Sequence, residues 1–272
     1  MDHLNFYRAA AHLSPVTEKA AWSDADRKHA IYIVKNDALR HSENPDNSYY
    51  TPEGQTAAQQ SNLFTSFNTN DPDSLAIETW MQSPFHAVGL LDPRLVQVGY
   101  GSYREERGNL QMGAALNVIA GISYTAQAIY PIFWPGNDTI IPMSHHSGGQ
   151  PSPLTSCPGY TAPSGLPLIL QIGPGNLTPV VSATSFTQRG QPLEHCVFDE
   201  TTYTNPDRSQ QKLGRSILGA RNAIVLIPRS PLTSGTNYAA SVTANGQTYK
   251  WSFGVGGTAP AGDGQTFSGI PR

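Results

Sequence analysis

The sequence predicts a two-domain α+β protein, with a mixed α/β first half and an all-β sandwich in the second half. Three observations carry this reading. Helical periodicity and capping signals dominate up to about Gly121, prolines and glycines crowd together after Tyr130, and short β-rich runs broken by turn residues fill the rest. The divisions so drawn are 1–130, a Pro/Gly-rich connector 131–154, a β-sandwich 155–255, and a flexible tail 256–272.

Taken in order, Ser23 with Asp26 has the form of a capping box, and Ala25, His29, Tyr32 and Ile33 share one face of a helix running to Asn36. His29 on that apolar face reads as a buried core histidine. Thr51-Pro52-Glu53 combines a cap, a proline at the first helical position and an acid that favours the helix dipole. Asp71-Pro72-Asp73 repeats the arrangement and leads into Leu75–Met81, where Ala76/Trp80 and Ile77/Met81 pair at i,i+4 as core residues. Ser83 before Pro84 reads as another N-cap. Leu95–Tyr100 and Ala114–Ile119 look like strands joined by a polar turn at Tyr103–Gly108.

Beyond the connector, strands are expected at Leu166–Ile172, Val180–Phe186, Ala223–Ile227, Tyr238–Ala244 and Thr248–Phe253. Asn245-Gly246 is a type I′ hairpin signal, and the regular short strands argue a sandwich of immunoglobulin type. Pro231-Leu232-Thr233-Ser234-Gly235-Thr236-Asn237-Tyr238 and Trp251-Ser252-Phe253 are similar to bacterial immunoglobulin-like modules, which implies a spacer or adhesion role.

Composition excludes several classes. Gly 25 and Pro 22 without a three-residue period exclude collagen, and 38% hydrophobic residues exclude a disordered chain. A net charge of −3 with 17 basic residues argues against an electrostatically held nucleic acid. No apolar run approaches the roughly 20 residues of a spanning helix. Cys157 and Cys196 lack metal-site spacing and are expected to form a disulfide, which implies an oxidising compartment. The N-terminus shows no signal-peptide pattern, so either the protein is cytosolic or its export signal is absent from this sequence. Asn137-Asp138-Thr139 and Asn176-Leu177-Thr178 match the glycosylation pattern, and His145-His146 is a short histidine tract in the connector.

Leu4-Asn5-Phe6-Tyr7-Arg8, Lys28-His29-Ala30, His41-Ser42-Glu43, Ser61-Asn62-Leu63, Trp80-Met81-Gln82-Ser83-Pro84-Phe85-His86 and Leu91-Asp92-Pro93 through Gly101 follow one another in an informative order. The run, residues 4 to about 121, resembles the CAP superfamily (cysteine-rich secretory proteins, antigen 5, pathogenesis-related-1 proteins), particularly its bacterial SCP-like branch. The resemblance implies an α/β/α sandwich with a surface cleft in which two histidines and two glutamates hold a divalent metal such as zinc. His41 corresponds to the first histidine, but the two glutamates fall on Ser61 and Ser83. The segment that carries the last histidine corresponds to Gly108–Leu116, which has none.

Three functions follow as expectations. The first is an exported, secreted or cell-envelope, monomeric protein, non-catalytic, whose CAP-like cleft binds a small ligand, glycan or protein partner through His41, Glu53, Ser61, Asn62, Glu78 and His86. No cofactor is required. The second is a hydrolase of peptide, ester or cell-wall substrates, using either a metal on His41, His86 and Glu53 or Ser61 or Ser83 as nucleophile with His41 as base. The third is a purely structural envelope protein.

Overall fold

The computed structural model describes residues 1–260; residues 261–272 of the expected tail lie outside the described residues. The first half runs α1 (Asp2–Ala9), β1 (Thr17–Glu18), α2 (Ala20–Asn36), α3 (Pro52–Gln60), β2 (Ser61–Ser66), α4 (Asp73–Met81), α5 (Pro84–Leu90), β3 (Gln97–Val98), β4 (Tyr100–Arg104) and β5 (Met112–Asn117). An antiparallel sheet in the order β2-β5-β4 pairs Ser61 with Asn117 and Tyr100 with Leu116. Successive residues of a strand face opposite sides. On β4, Tyr100 meets Trp80 of α4 edge-on, whereas Gly101 lies against Arg27 of α2. Helices therefore cover both faces, α2 and α3 on one and α4 with α1 on the other. The close seating of α2 requires bare backbone beneath it: a Cβ at Gly113 would stand 2.9 Å from Ala30 O, and one at Gly101 would overlap the Arg27 backbone.

Two local expectations change. α2 begins at Ala20, so Ser23 lies inside the helix, where its hydroxyl donates to Glu18 Oε1 at 2.6 Å. Asp26 does not cap; it is fully buried. The strand expected at Leu95–Tyr100 is divided into β3, which pairs in parallel with β1, and β4, which continues to Arg104. Thr51 does cap α3, its hydroxyl accepting from Gly54 N at 2.9 Å. Asn5 and Arg8 act structurally. Asn5 exchanges two hydrogen bonds with Val16, and the buried Arg8 guanidinium donates to the carbonyls of Leu90, Asp92 and Leu95.

The second half continues with β6 (Ile132–Trp134), β7 (Thr139–Ile141), β8 (His145–His146), a 3-10 turn (Pro153–Ser156), β9 (Ser164–Gly165), β10 (Leu168–Gln171), β11 (Val181–Gln188), β12 (Gln191–Pro192), β13 (His195–Phe198), α6 (Arg208–Gly219), β14 (Ala223–Pro228), β15 (Thr236–Ala244) and β16 (Gln247–Val255). One sheet is ordered β13-β14-β10-β6, the other β12-β11-β15-β16-β7. They meet through Phe133 and Trp251, with ring centroids 5.1 Å apart, and through the Thr184–His195 hydrogen bond at 3.0 Å. Asn245 and Gly246, with φ of 51° and 78°, make the hairpin between β15 and β16, as two left-handed residues require. Cys157 and Cys196 form the disulfide, with Cα atoms 5.6 Å apart.

The stretch read as a connector, 131–154, instead carries β6, β7 and β8, and the first two are edge strands of the two sheets. The prolines misled the reading because they stand at the strand ends, Pro131 and Pro135 on either side of β6 and Pro142 after β7, and leave the strands themselves free of proline. Nor are the halves separate bodies. A single buried cluster spans both, with Trp134 edge-on to Tyr7 at 5.8 Å and Phe85 packed on Phe198 and Tyr203. Polar ties reinforce it: Gln171 Nε2 donates to Leu91 O, and buried Asp92 pairs with Arg94 and with Arg221.

Candidate functional site

The C-terminal end of α3, the start of β2 and the turn from α4 into α5 bring three of the expected residues together. His41, on the loop after α2, directs its Nδ1–H to Ala58 O at 2.8 Å, and its Nε2 has no hydrogen-bond partner among the described residues. Asn62, the second residue of β2, is buried, and its amide donates to His86 O at 3.3 Å. His86 lies in the first turn of α5, its Nδ1 buried without a partner. Burial pushes its pKa down to about 4, and the charges that His41 and His146 would carry push the same way.

His146 comes from β8, in the second half. It is buried, and its Nδ1–H donates to Gln82 O at 2.9 Å; two residues on, Gly148 O accepts from the Ser83 hydroxyl at 2.7 Å. The segment around His146 is thus docked on the α4–α5 turn, beside the expected cleft. Its only sequence signal was the His145-His146 pair, which the Gly/Pro setting disguised as linker. Ser83 does occupy the N-cap position, but its hydroxyl serves this dock and makes no capping bond.

The remaining expected residues are directed elsewhere. Glu53 is exposed on the first turn of α3 and pairs with Lys28 at 3.6 Å. Glu78 of α4 accepts from His3 Nε2 at 3.0 Å. Ser61 is buried, and its hydroxyl donates to Asp26 Oδ1 at 2.7 Å. Asp26, which also accepts from Asn117 N, is pushed up to about 7 by burial, against the pull of both hydrogen bonds. His29, as expected, is a core histidine: it bonds Glu43 at 2.9 Å and Arg40 O at 2.9 Å, and both its side chain and that of Glu43 are fully buried.

This geometry does not match the donor set of a metal centre of the kind the resemblance implies. Among the described residues, no three His, Cys, Asp or Glu side chains are placed to share an ion. Serines stand where carboxylates are needed, and hydroxyls are weak ligands for zinc-like ions. The nucleophile arrangement is also unsupported by contact, since Ser61 and Ser83 donate to Asp26 and Gly148 rather than to a histidine.

Residues 1–119 match the family model CAP, the cysteine-rich secretory protein family, so a CAP domain is present in the first half. No curated protein and no solved structure matches the chain. Among the described residues no helix is long and apolar enough to cross a membrane.

Proposed function

We propose that the chain is an exported, non-catalytic CAP protein. Its first half offers the face around His41, Asn62 and His86 to a small ligand, a glycan or a protein partner. Its second half, an immunoglobulin-like sandwich, braces that face. The observation that carries this reading is the engagement of the expected carboxylates and nucleophiles with structural partners: Glu53 with Lys28, Glu78 with His3, Ser61 with Asp26, and Ser83 with Gly148. The Ser61 bond to Asp26 is buried and costs about 1–3 kcal/mol to release, which disfavours use of that hydroxyl in turnover.

The disulfide supports export, because such bonds persist in oxidising compartments. The path of the chain supports the immunoglobulin-like reading. β6 lies in one sheet, β7 in the other, β10 back in the first, β11 and β12 in the second, β13 and β14 in the first, and β15 and β16 again in the second, with β7 paired in parallel to β16. α6 is an addition to that plan, and the disulfide ties β13 to the loop before β9 instead of joining the two sheets.

The test is hydrolysis of ester, peptide and cell-wall substrates by the full chain, with and without added zinc, beside His41→Ala. The expected outcome is no turnover that distinguishes the two proteins. Turnover that disappears with His41→Ala overturns the reading.

A further inference from the structure

In the second half, a cleft of about 890 Å³ opens where the loop after β10, the loop after β13 and the last two turns of α6 converge. It lies beside the junction of the two halves, a common place for ligand sites. Arg94 of the first half donates to Pro174 O at 2.9 Å and to Ala220 O at 3.2 Å, fixing both rims. Buried Asn222 accepts from the backbone N–H groups of Gly175, Asn176 and Leu177 at 2.8, 3.1 and 3.4 Å, so one wall is rigid before any ligand arrives.

Two opposite charges line this cleft without meeting. Arg215 is held by a bond from Nε to Tyr203 O at 2.8 Å, which orients the guanidinium and leaves its two terminal nitrogens without partners among the described residues. Glu200 Oε2 is buried with no hydrogen-bond partner. It sits over Gly219, where a Cβ would approach it to 2.6 Å, at the negative end of the α6 dipole. Burial and the neighbouring Asp199 raise its pKa, against the pull of a hydrogen bond from Thr178. Among the described residues Glu200 and Arg215 join no ion pair within 4.0 Å.

A ligand that satisfies both must carry both signs. We propose that this cleft binds a small zwitterion of the α-amino-acid type, its ammonium on Glu200 and its carboxylate on Arg215. Arg215 and Gly219 are one turn apart on α6, a rise of about 6 Å. An α-amino acid carries its two charges on one N–Cα–C backbone, so it offers a charge-assisted contact of about 2.8 Å to each of two neighbouring groups of opposite sign. The cleft is larger than such a backbone needs, and Leu177 on its wall gives an apolar side chain a surface to lie on.

Calorimetric titration of the full chain with L-leucine, N-acetyl-L-leucine and L-leucinamide tests the proposal. Free leucine is expected to bind, and each capped form at least tenfold more weakly, about 1.4 kcal/mol. Glu200→Gln is expected to abolish the preference over the N-acetyl form, and Arg215→Gln the preference over the amide. The capped ligands probe the unaltered chain, so the result does not hinge on either variant folding. No binding of free leucine up to about 10 mM, or equal binding of the capped forms, overturns the proposal.

Discussion

Replacing Asp26 by asparagine is expected to raise stability at neutral pH and lower it in acid. The carboxyl is fully buried between α2 and the edge of the sheet, and its pKa is pushed from 3.8 to about 7. Three units at 1.36 kcal/mol each come to about 4 kcal/mol. A folded-state pKa above the unfolded one means that the native chain holds the proton more tightly. The contribution is therefore fully present below 3.8 and is lost as pH rises through about 7. Asparagine keeps the shape and does not titrate. Its oxygen still accepts from Ser61, but its amide then faces the Asn117 N–H, donor against donor, at a cost of about 1–2 kcal/mol. The variant should thus be about 2–3 kcal/mol more stable near pH 8 and about 1–2 kcal/mol less stable near pH 4, so the two profiles cross. His86 acts in the opposite sense. Its pKa is lowered from 6.5 to about 4, so it removes stability as pH falls through that window, but it does so in both proteins and cancels in the difference. Urea midpoints across the range give the curves. A constant offset between the two proteins at every pH would refute the reasoning.

Gly101→Ala should cost about 1–3 kcal/mol or more, read from urea denaturation, because the added methyl meets the Arg27 backbone and α2 must lift from the sheet. Removing both cysteines as C157S/C196S releases a constraint across 39 residues; chain entropy sets the loss at about 4 kcal/mol, and an unchanged melting midpoint would count against the disulfide as a staple. Thr51→Ala should cost about 1 kcal/mol by leaving the Gly54 N–H uncapped, whereas Thr51→Ser should restore most of it. Arg94→Ala leaves buried Asp92 with Arg221 alone and frees Pro174 O and Ala220 O. We expect a loss of about 3 kcal/mol in a cooperative transition, since the residue ties the halves together.

What the sequence showed and what it hid have physical reasons. Local signals survived: Thr51-Pro52-Glu53 opens a helix, Asn245-Gly246 turns a hairpin, and Tyr238, Ala240, Val242 and Ala244 are buried on one face of β15. β2 was missed because Ser61-Asn62-Leu63-Phe64 carries no clean alternation; four of its six residues are buried by helices on both faces. α6 was missed for the opposite reason, since it is polar apart from Leu213, Ile217 and Leu218 and interrupts a run of strands. The candidate site was half legible. His41 and His86 do stand near each other, but no pattern along the chain links them to His146, some 60 residues further on, which arrives through the pairing of β8 with β9.

The low charge of the chain acquires a specific meaning from this arrangement. Twenty acidic side chains are few for 272 residues, and several of them are spent internally: Asp26 on Ser61, Glu43 on His29, Glu78 on His3, and Asp92 on two arginines. Burying a carboxylate is worthwhile only when it is bonded on most sides, and each such group then becomes part of the framework. The residues around His86 are therefore held by a scaffold that reaches across both halves, through Arg94, Gln171 and the segment around His146. A face fixed in that way presents a preformed shape, which is the physical ground on which the proposed function rests.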